Sequence, residues 1–271
     1  GLTEVWESSL SQLEYEKYVE DIRTQIELGN VYQVNACRVL KTKIEEKRSL
    51  APLFAKLLSK NPAPSAAFLR LPNFEIASAS PELFISRHGA QIKTSPIKGT
   101  RKLSQTGSSF SEKDKAENIM IVDLMRNDFG RICKPGTVKV KELLRTELHP
   151  GLEHLVSDVV GEVADGITWD SIFESVLPPG SVSGTPKYTA VSLIAEKELG
   201  GRGPYCGAIG WVQGDRAEIA VGIRTFWRTN DDVLRFGTGA GITWASDAQA
   251  EWDETRLKVN HLLSIAGGEI L

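Results

Sequence analysis

The chain reads AAFLRL at 66–71, EIASA at 75–79 and LFISR at 83–87, and it then turns at His88-Gly89. Short segments of this kind, separated by turn-forming residues, are typical of neighbouring antiparallel strands. Strand clusters punctuated by helices, rather than strict alternation, favour an α+β fold with largely antiparallel sheets. The other strands are predicted at 31–40, 137–147, 154–163, 205–212, 217–228 and 233–236.

Helices are predicted between these strand clusters. The first covers 12–28, begins at the cap residue Ser11 and carries an apolar stripe. Ser111, with Asp114 three residues later, resembles a capping box before a helix over 112–127. A helix is also predicted to begin at Pro186, with Thr185 as its cap. The remaining helices are expected at 50–59, 169–176 and 247–266.

Composition and charge limit the class of protein. The chain has 271 residues, of which 41% are hydrophobic and 25% charged, as in a soluble globular protein. A net charge of -3 gives no basis for binding nucleic acid, and no apolar run approaches the roughly 20 residues that cross a membrane. The first residues do not resemble a signal peptide, and three scattered cysteines do not make a disulfide framework. We therefore expect a cytoplasmic protein.

The sequence contains no internal repeat, no low-complexity segment and no linker rich in serine, proline or glycine. We therefore predict a single domain over 1–271.

Several acidic residues could hold a metal ion. Glu251 and Glu254 lie three residues apart on the last predicted helix, so their carboxylates share one face. They either belong to a solvated face, with Glu254 paired to Lys258, or share a divalent cation. Oxygen-only ligands suit Mg²⁺, which keeps positions open for water and substrate oxygens. Glu117, on the helix over 112–127, is a third candidate, although spacing alone does not distinguish it from its acidic neighbours.

Basic and glycine-rich segments give candidate anion sites. Lys98 follows a predicted strand between Pro96-Ile97 and Gly99-Thr100, where it is either an exposed cation or, if buried in a cleft, a nucleophilic amine. The glycines of GTGAG (237–241) follow a predicted strand; they lack the dinucleotide spacing but let backbone N–H groups approach an anion. Arg224, at a strand end, suits either a bidentate carboxylate contact or a surface ion pair.

Three further features have a functional and a structural interpretation. The loop over 178–187 leads into a helix start, which is a standard place for an anion. Cys206 has no histidine at triad spacing, so we interpret it as a small strand residue rather than a nucleophile. His154 opens a predicted strand and is structural unless a cleft reaches it.

An ordered set of motifs resembles the chorismate-utilising enzymes, which include the aminodeoxychorismate, anthranilate, isochorismate and salicylate synthases. Each motif is weak alone, but the set is specific and runs from about Tyr15 to Gly267. The motifs are GNVYQVN (29–35), SPE (80–82), PIKGT (96–100), AENIMIVDLMRND (116–128), HLVS (154–157), GSVSGTPK (180–187), YCGAIG (205–210), IRT (223–225), GAGI (239–242) and EWDET (251–255).

The resemblance implies a fold and an assignment of residues. The fold is α+β with α/β/β/α layers, antiparallel sheets packed together, helices outside and a central cleft. Glu117, Glu251 and Glu254 are implied to surround the Mg²⁺ that holds the ring carboxylate of chorismate. Glu82 is implied to protonate the departing C4 hydroxyl, and Thr100 and His154 to lie near the reacting ring. The residues implied to bind substrate, several of them at the enolpyruvyl carboxylate, are Gly99, Tyr205, Arg224, Gly239, Ala240, Gly241 and Lys258.

Lys98 indicates the branch of this family that the chain resembles most, the aminodeoxychorismate synthases. Anthranilate and isochorismate synthases usually carry alanine at this position. The lysine of the aminating branch attacks C2 as the hydroxyl leaves C4, and ammonia then attacks C4 and expels the lysine. Relatives that add water carry a lysine in the segment that reads Gln33-Val34-Asn35 here. The resemblance therefore implies amination of chorismate at C4, the step that leads to 4-aminobenzoate and folate.

The resemblance also implies partners. Ammonia would come from glutamine through a separate glutamine amidotransferase subunit. The N-terminal region of larger relatives, which can hold tryptophan, is absent, so we expect no tryptophan feedback. The departures at 184–187 and 246–248 touch none of the implied ligands. Three alternatives stay open: anthranilate synthase component I, an enzyme of the isochorismate or salicylate synthase type, and an inactive scaffold that binds chorismate or the glutaminase.

Overall fold

A computed structural model describes residues 4–44, 49–102, 109–149, 152–198 and 200–270. Its helices are α1 (Gln12–Glu27), α2 (Ala51–Lys60), α3 (Glu112–Gly130), α4 (Trp169–Val176), α5 (Lys187–Lys197) and α6 (Ala248–Ala266). Its strands are β1 (Glu4–Ser8), β2 (Gln33–Lys43), β3 (Ser65–Leu71), β4 (Phe74–Ser80), β5 (Leu83–His88), β6 (Gln91–Ser95), β7 (Ile97–Lys102), β8 (Lys139–His149), β9 (Leu152–Glu162), β10 (Gly184–Thr185), β11 (Ala208–Gln213), β12 (Arg216–Val221), β13 (Thr225–Arg228), β14 (Val233–Ile242) and β15 (Gly268–Ile270). None of the helices in the described ranges is long and apolar enough to cross a membrane.

The chain divides into two units, each made of segments that are distant in sequence. Unit 1 comprises Gly1–Ser80, Val182–Gly207 and Gly222–Leu271, whereas unit 2 comprises Pro81–Ser181 and Ala208–Val221. The α+β class with antiparallel sheets is confirmed, because each unit has its own antiparallel sheet. The single domain and the layering of the two sheets stay predictions.

Unit 1 is built on a sheet with the strand order β15-β1-β2-β14-β13-β4-β3, and β10 pairs with β2. Only the pairing of β1 with β15 is parallel among its described strands. Helix α1 begins at Ser11, which forms the capping box with Glu14, and its predicted apolar stripe is buried. Two clusters of buried residues fill this unit, one around Phe226 and Phe236 and one around Tyr15 and Trp252.

Unit 2 is built on a sheet with the strand order β11-β12-β5-β6-β9-β7, and β8 pairs with β9. Helix α3 begins with the predicted capping box, in which Ser111 and Asp114 exchange hydrogen bonds. One face of α3 is buried, including Ile121 and Phe129, while Ile119 is 42% exposed. The helix is therefore amphipathic.

Four local predictions are wrong. In each case the structure is determined by pairing with a strand that is distant in sequence or by an interruption of the strand. Thr185 does not cap a helix: it pairs with Gln33 in β10, and α5 begins after Pro186 without a side-chain cap. The strand predicted over 217–228 is interrupted at 222–224, which separates β12 from β13. The strand predicted over 205–212 begins at Ala208, so Cys206 lies in a turn with a φ of 64°. The glycines of 237–241 lie within β14, where they pair with β2, rather than after a strand.

Candidate active site

Glu82 comes directly before β5 in unit 2, and its side chain is only 3% exposed. Burial raises the pKa of this carboxyl to about 7. A hydrogen bond with the Ser181 side chain, the charge of Lys98 and a main-chain hydrogen bond from Ile97 all act in the opposite direction. A carboxyl with this pKa can donate a proton at neutral pH, as a general acid must.

Lys98 is half-buried in β7, at a point where the pairing of β7 with β9 is irregular. Its Nζ donates a hydrogen bond to the main-chain oxygen of Ser181 at 3.0 Å. Gly99 follows with a φ of 80°, and a Cβ there would lie 3.0 Å from the Cβ of Asp114. The irregularity therefore depends on glycine, and it redirects the neighbouring side chains as a β-bulge does.

Ser181 is a site residue that the sequence interpretation missed. Its side chain contacts Glu82 and its carbonyl accepts from Lys98, so it holds the acid and the amine together within unit 2. The residue belongs to the GSVSGTPK motif, which was interpreted only as a helix start that could bind an anion. No pattern of spacing relates it to Glu82, because their contact depends on the fold.

Thr100 and His154 are brought together by strand pairing. They face each other in the register of β7 and β9, and Thr100 Oγ1 lies 2.8 Å from His154 Nδ1. The His154 ring is 1% exposed and packs edge-on against His149, with 4.7 Å between ring centroids. His154 is thus held at a fixed orientation in β9, as a residue near a reacting ring would need to be.

Glu117 lies on α3, where its side chain is 16% exposed and Lys113 approaches to 3.9 Å. The next residue, Asn118, is buried and joins α3 to β9 through Leu155 and Ser157. The described contacts therefore fix the turn of α3 that carries this carboxylate.

Arg224 belongs to unit 1 and lies in the break before β13. Its φ of 49° is unusual for a residue other than glycine, and its main-chain oxygen accepts from the Ala79 amide at 3.0 Å. The guanidinium is half-buried, and burial lowers its pKa. It makes no ion pair or side-chain hydrogen bond with any described residue. No described acidic residue therefore forms the surface ion pair considered from the sequence, and a guanidinium in this environment suits a carboxylate supplied by a ligand.

Tyr205 and the glycines of β14 pack against one another in unit 1. A Cβ at Gly237 would lie 2.1 Å from the Tyr205 ring, and a Cβ at Gly239 would lie 2.5 Å from the Ala36 carbonyl oxygen. Ala240 is buried in the core. The glycines at 237 and 239 are thus required for close packing, and contact of Gly239, Ala240 or Gly241 with a substrate stays a prediction.

The two carboxylates of α6 differ in their environments. Glu251 is buried and accepts a hydrogen bond from Ser246 Oγ at 2.6 Å, whereas the Glu254 side chain is 47% exposed and lies 2.5 Å from Lys258 Nζ. Lys258 Nζ also lies 3.3 Å from the Gly239 oxygen. The Glu254–Lys258 pair considered from the sequence is therefore present.

The magnesium site stays a prediction. The described residues contain no group of three histidine, cysteine or acidic side chains arranged to hold a metal ion. Glu251 and Glu254 belong to unit 1 and Glu117 to unit 2, so the geometry within each unit does not test whether they share an ion. The donor chemistry fits a hard cation, since two carboxylates lie within one turn of α6.

The three cysteines are free and buried. Cys37 and Cys206 lie close together in unit 1, with 3.9 Å between their sulfur atoms. No histidine forms a hydrogen bond with either thiol among the described residues. The interpretation of Cys206 as a residue that is not a nucleophile stays a prediction.

The chain is similar to known proteins over nearly its whole length. A family profile described as chorismate binding enzyme matches residues 2–264. Aminodeoxychorismate synthase component 1 of Salmonella typhimurium is 37% identical over 97% of this chain and 59% of the relative. Anthranilate synthase component 1 of Saccharolobus solfataricus is 35% identical over 97% of this chain and 64% of the relative. The chain thus spans less than two thirds of either relative.

A solved structure agrees with these matches. The crystal structure of anthranilate synthase component I from Streptococcus pneumoniae TIGR4 is similar with a TM-score of 0.85 and 30% sequence identity. The match covers 97% of this chain and 59% of that chain. The fold implied by the sequence motifs is therefore found in a solved relative.

Proposed function

The chain belongs to the chorismate binding enzyme family, and on that premise we propose that it converts chorismate and ammonia to 4-amino-4-deoxychorismate. The observation that carries the proposal is the arrangement in unit 2, where Lys98 and the buried acid Glu82 are both held by Ser181. The similarity to aminodeoxychorismate synthase component 1 supports the same reaction.

The first step forms a bond to the protein. The unprotonated amine of Lys98 attacks C2 of the chorismate ring, the ring double bond shifts, and the C4 hydroxyl leaves as water with a proton from Glu82. A hydroxyl is a poor leaving group without such a proton, and the pKa of about 7 keeps a large fraction of Glu82 protonated near neutral pH.

The second step replaces the lysine. Ammonia attacks C4, the double bond shifts back, and the C2–N bond to Lys98 breaks. Glu82, now ionised, can accept the proton released by the incoming ammonia. Two successive displacements leave nitrogen in place of oxygen at C4 and return Lys98 and Glu82 to their starting forms.

The residues of unit 1 supply binding in this proposal. Arg224, which lacks a carboxylate partner among the described residues, holds the enolpyruvyl carboxylate, with Tyr205 beside β14. Glu251, Glu254 and Glu117 would hold Mg²⁺, which neutralises the ring carboxylate when bound. Thr100 and His154 border the ring. These roles are inferred from the motifs and the local geometry of each unit.

The proposal includes partners and a location. The ammonia comes from glutamine through a separate glutamine amidotransferase subunit, and the product serves 4-aminobenzoate and folate synthesis. The three unpaired thiols are compatible with a reducing compartment, so we place the enzyme in the cytoplasm.

Product analysis tests the proposal. The purified chain is incubated with chorismate, Mg²⁺ and ammonium at a pH that supplies free ammonia, and the product is identified by mass spectrometry. We expect a product with the mass of 4-amino-4-deoxychorismate, and its loss in Lys98→Ala. Lys134→Ala is the matched control, since Lys134 is a partly exposed lysine of the same unit that pairs with Asp165. Wild-type protein that releases no aminated product would contradict the proposal.

Anthranilate synthase is the second candidate, favoured by the match to the relatives from Saccharolobus solfataricus and Streptococcus pneumoniae. The same incubation separates the two candidates, because anthranilate is fluorescent and has lost pyruvate. Anthranilate formed without an added lyase would favour the second candidate, whereas an aminated product that retains the pyruvyl carbons favours the first.

A further inference from the structure

We propose that Cys37 and Cys206 of unit 1 form a redox-sensitive pair, which a hydroperoxide converts from two thiols to a disulfide. The interpretation of Cys206 as a residue without a catalytic role is unaffected, because the thiols react here with an oxidant and not with the substrate. The proposal rests on the distance between the two sulfur atoms, on the ion pair beside them and on the turn that carries Cys206.

The two thiols lie side by side in the interior of unit 1. Their sulfur atoms are 3.9 Å apart, so an approach of about 2 Å would bring them to the length of a disulfide bond. Both residues are buried, with 2% of Cys37 and 5% of Cys206 exposed. Asn35 Nδ2 donates to Cys37 Sγ at 3.0 Å and lies 3.9 Å from Cys206 Sγ. The amide of Asn35 therefore borders both sulfur atoms, and the thiols already face each other before any bond forms.

The two cysteines differ in how firmly the backbone holds them. Cys37 lies within β2, where it pairs with Gly239 of β14. Cys206 lies in a turn with a φ of 64°, in which the Gly207 amide donates to the Pro204 oxygen. A turn outside the sheet adapts its backbone and side-chain angles more readily than a central strand does. We therefore expect Cys206 to make most of the movement that closes the bond.

A buried ion pair stands beside the thiols and makes them chemically different. Glu198 accepts from the Cys37 amide at 3.2 Å and pairs with Arg202 at 2.6 Å. Burial opposes ionisation of Cys206, but a hydrogen bond from Cys37 and the charge of Arg202 outweigh burial and lower the pKa of this thiol. Burial and the same hydrogen bond raise the pKa of Cys37. When the pair loses one proton, the thiolate is therefore on Cys206, and the thiolate is the form that reacts with oxidants.

A cavity of about 170 Å³ lies beside the pair. Side chains alternate along a strand, so Cys37 and Lys41 share one face of β2, whereas Arg38 points to the other face, toward α6. The wall of the cavity includes Cys37, Glu198 and Arg202. A cavity of this size admits molecules as small as water or hydrogen peroxide. It gives a small oxidant a route to the side of the pair.

The reaction balances with one hydroperoxide. The Cys206 thiolate attacks one oxygen of hydrogen peroxide, so that an S–O bond forms, the O–O bond breaks and hydroxide leaves. The hydroxide takes the proton of the Cys37 thiol and becomes water. The Cys37 thiolate then attacks the sulfur of the sulfenic acid, the S–S bond forms and a second hydroxide leaves. The two sulfur atoms are oxidised by two electrons in total, and the peroxide is reduced by two.

The disulfide would act on residues assigned to the substrate. Tyr205 precedes Cys206 in the same turn and packs against Gly237, and a Cβ at Gly239 would lie 2.8 Å from Cys37 Sγ. Movement of the turn toward β2 therefore shifts the Tyr205 ring and presses on β14. This consequence for chorismate rests on the proposed function, whereas formation of the disulfide does not.

Intact-protein mass spectrometry tests the disulfide without any need for turnover. The reduced chain is treated with hydrogen peroxide, and the free thiols are then alkylated in denaturant. We expect the chain to lose the mass of two hydrogen atoms, to retain one alkylatable cysteine and to yield a peptide pair that joins Cys37 to Cys206. Dithiothreitol should reverse all three changes. A chain that only gains oxygen atoms, or that forms a disulfide through Cys133, would overturn the proposal.

Substitutions locate the bond. Cys37→Ala and Cys206→Ala should each abolish the loss of two hydrogen atoms. Cys133→Ala is the matched control, since Cys133 is also a buried free cysteine but belongs to unit 2, and it should oxidise like wild type. A disulfide within the chain in Cys37→Ala or in Cys206→Ala would overturn the assignment. If Cys37→Ala does not fold, Cys206→Ala, which changes a turn residue, decides alone.

Kinetics test the consequence for the substrate. The KM for chorismate should rise by about 3- to 10-fold in the oxidised chain, as weakening of one substrate contact predicts, and dithiothreitol should restore it. Cys206→Ala should keep the same KM before and after peroxide. If the chain forms no aminated product, the Kd of chorismate from calorimetry replaces KM, so failure of the proposed function is distinguished from failure of this inference. An unchanged constant in fully oxidised protein would overturn the link to the substrate.

Discussion

Burial affects a candidate functional acid in unit 2 and a candidate functional cation in unit 1, with different consequences. In unit 2 the buried acid Glu82 has its pKa raised to about 7, so it is poised to exchange a proton. In unit 1 the guanidinium of Arg224 has its pKa lowered by burial and lacks a carboxylate partner among the described residues. A carboxyl group whose pKa is close to the ambient pH can donate and accept a proton during a reaction, whereas a cation without a counter-ion can bind an anion. The comparison predicts that substitutions in unit 2 act on kcat and those in unit 1 act on KM.

The largest effect is expected for Glu82→Gln. An amide cannot protonate the departing hydroxyl, so kcat for amination should fall by about 10²- to 10⁴-fold with little change in KM. Steady-state kinetics at saturating ammonium measure both constants. A rise in KM with kcat unchanged would assign Glu82 to binding and remove the difference between the two units.

The same variant should be more stable than wild type above pH 7. The folded-state pKa of Glu82, about 7, lies above the usual 4.5, so the folded chain binds more protons between these values and stability falls as the pH rises through that window. Glutamine removes this loss, which is on the order of 3 kcal/mol. Denaturant unfolding at pH 4 and pH 8 measures it: the variants should differ at pH 8 and converge at pH 4. An equal difference at both pH values would indicate a packing effect instead.

Arg224→Met is the corresponding test in unit 1. Loss of the guanidinium removes a charge-assisted contact to the substrate carboxylate, so KM for chorismate should rise by about 10- to 100-fold while kcat changes much less. Arg23→Met is the control, since Arg23 is a partly exposed arginine of the same unit that pairs with Glu20 within α1. A fall in kcat without a change in KM would assign Arg224 to the chemical step and would remove the difference between the two units.

The starts of two helices were predicted from the sequence more accurately than the pairings between strands that are distant in sequence. Helices α1 and α3 follow from Ser11 and Ser111, because a capping box is a local interaction. The position of the glycines inside β14 depends on pairing with β2, which is distant in sequence. Thr185 was assigned to a cap for the same reason, since its pairing with Gln33 leaves no local signal.

The candidate site shows the same difference between features that a local pattern predicts and features that depend on distant residues. Motif order pointed to Glu82, Lys98 and Arg224 as residues of interest, and the resemblance supplied their roles. The raised pKa of Glu82 could not be predicted, because it depends on the burial that folding produces. The left-handed backbone at Arg224 and the contacts of Ser181 were likewise not visible, since each depends on residues far along the chain.

Gly237→Ala, in unit 1, should have a smaller effect, and it should change both the stability and the KM. The added Cβ would lie 2.1 Å from the Tyr205 ring, so the ring must move or the strand must shift. We expect a loss of about 1–3 kcal/mol in the free energy of unfolding, together with a rise in KM. Gly130→Ala in unit 2 is the control, because nothing lies within 4 Å of a Cβ at that glycine. Two equally stable variants would contradict the packing described here.

The smallest effects are expected at the two capping boxes, one in each unit. Ser11→Ala and Ser111→Ala each remove one reciprocal cap and should each lower stability by about 1 kcal/mol. Chemical denaturation monitored by circular dichroism measures both. Equal shifts of a single transition would indicate that the units unfold together, whereas two transitions shifted separately would indicate independent unfolding.

Intact-protein mass spectrometry in the absence of ammonia tests the role of Lys98 most directly. With chorismate and Mg²⁺ alone, wild-type protein should gain the mass of chorismate minus one water, with the added mass on the peptide that contains Lys98. Lys98→Ala should gain nothing, and ammonium should discharge the wild-type adduct. An aminating enzyme that never accumulates this mass, or an adduct that persists in Lys98→Ala, would contradict a covalent route through this lysine.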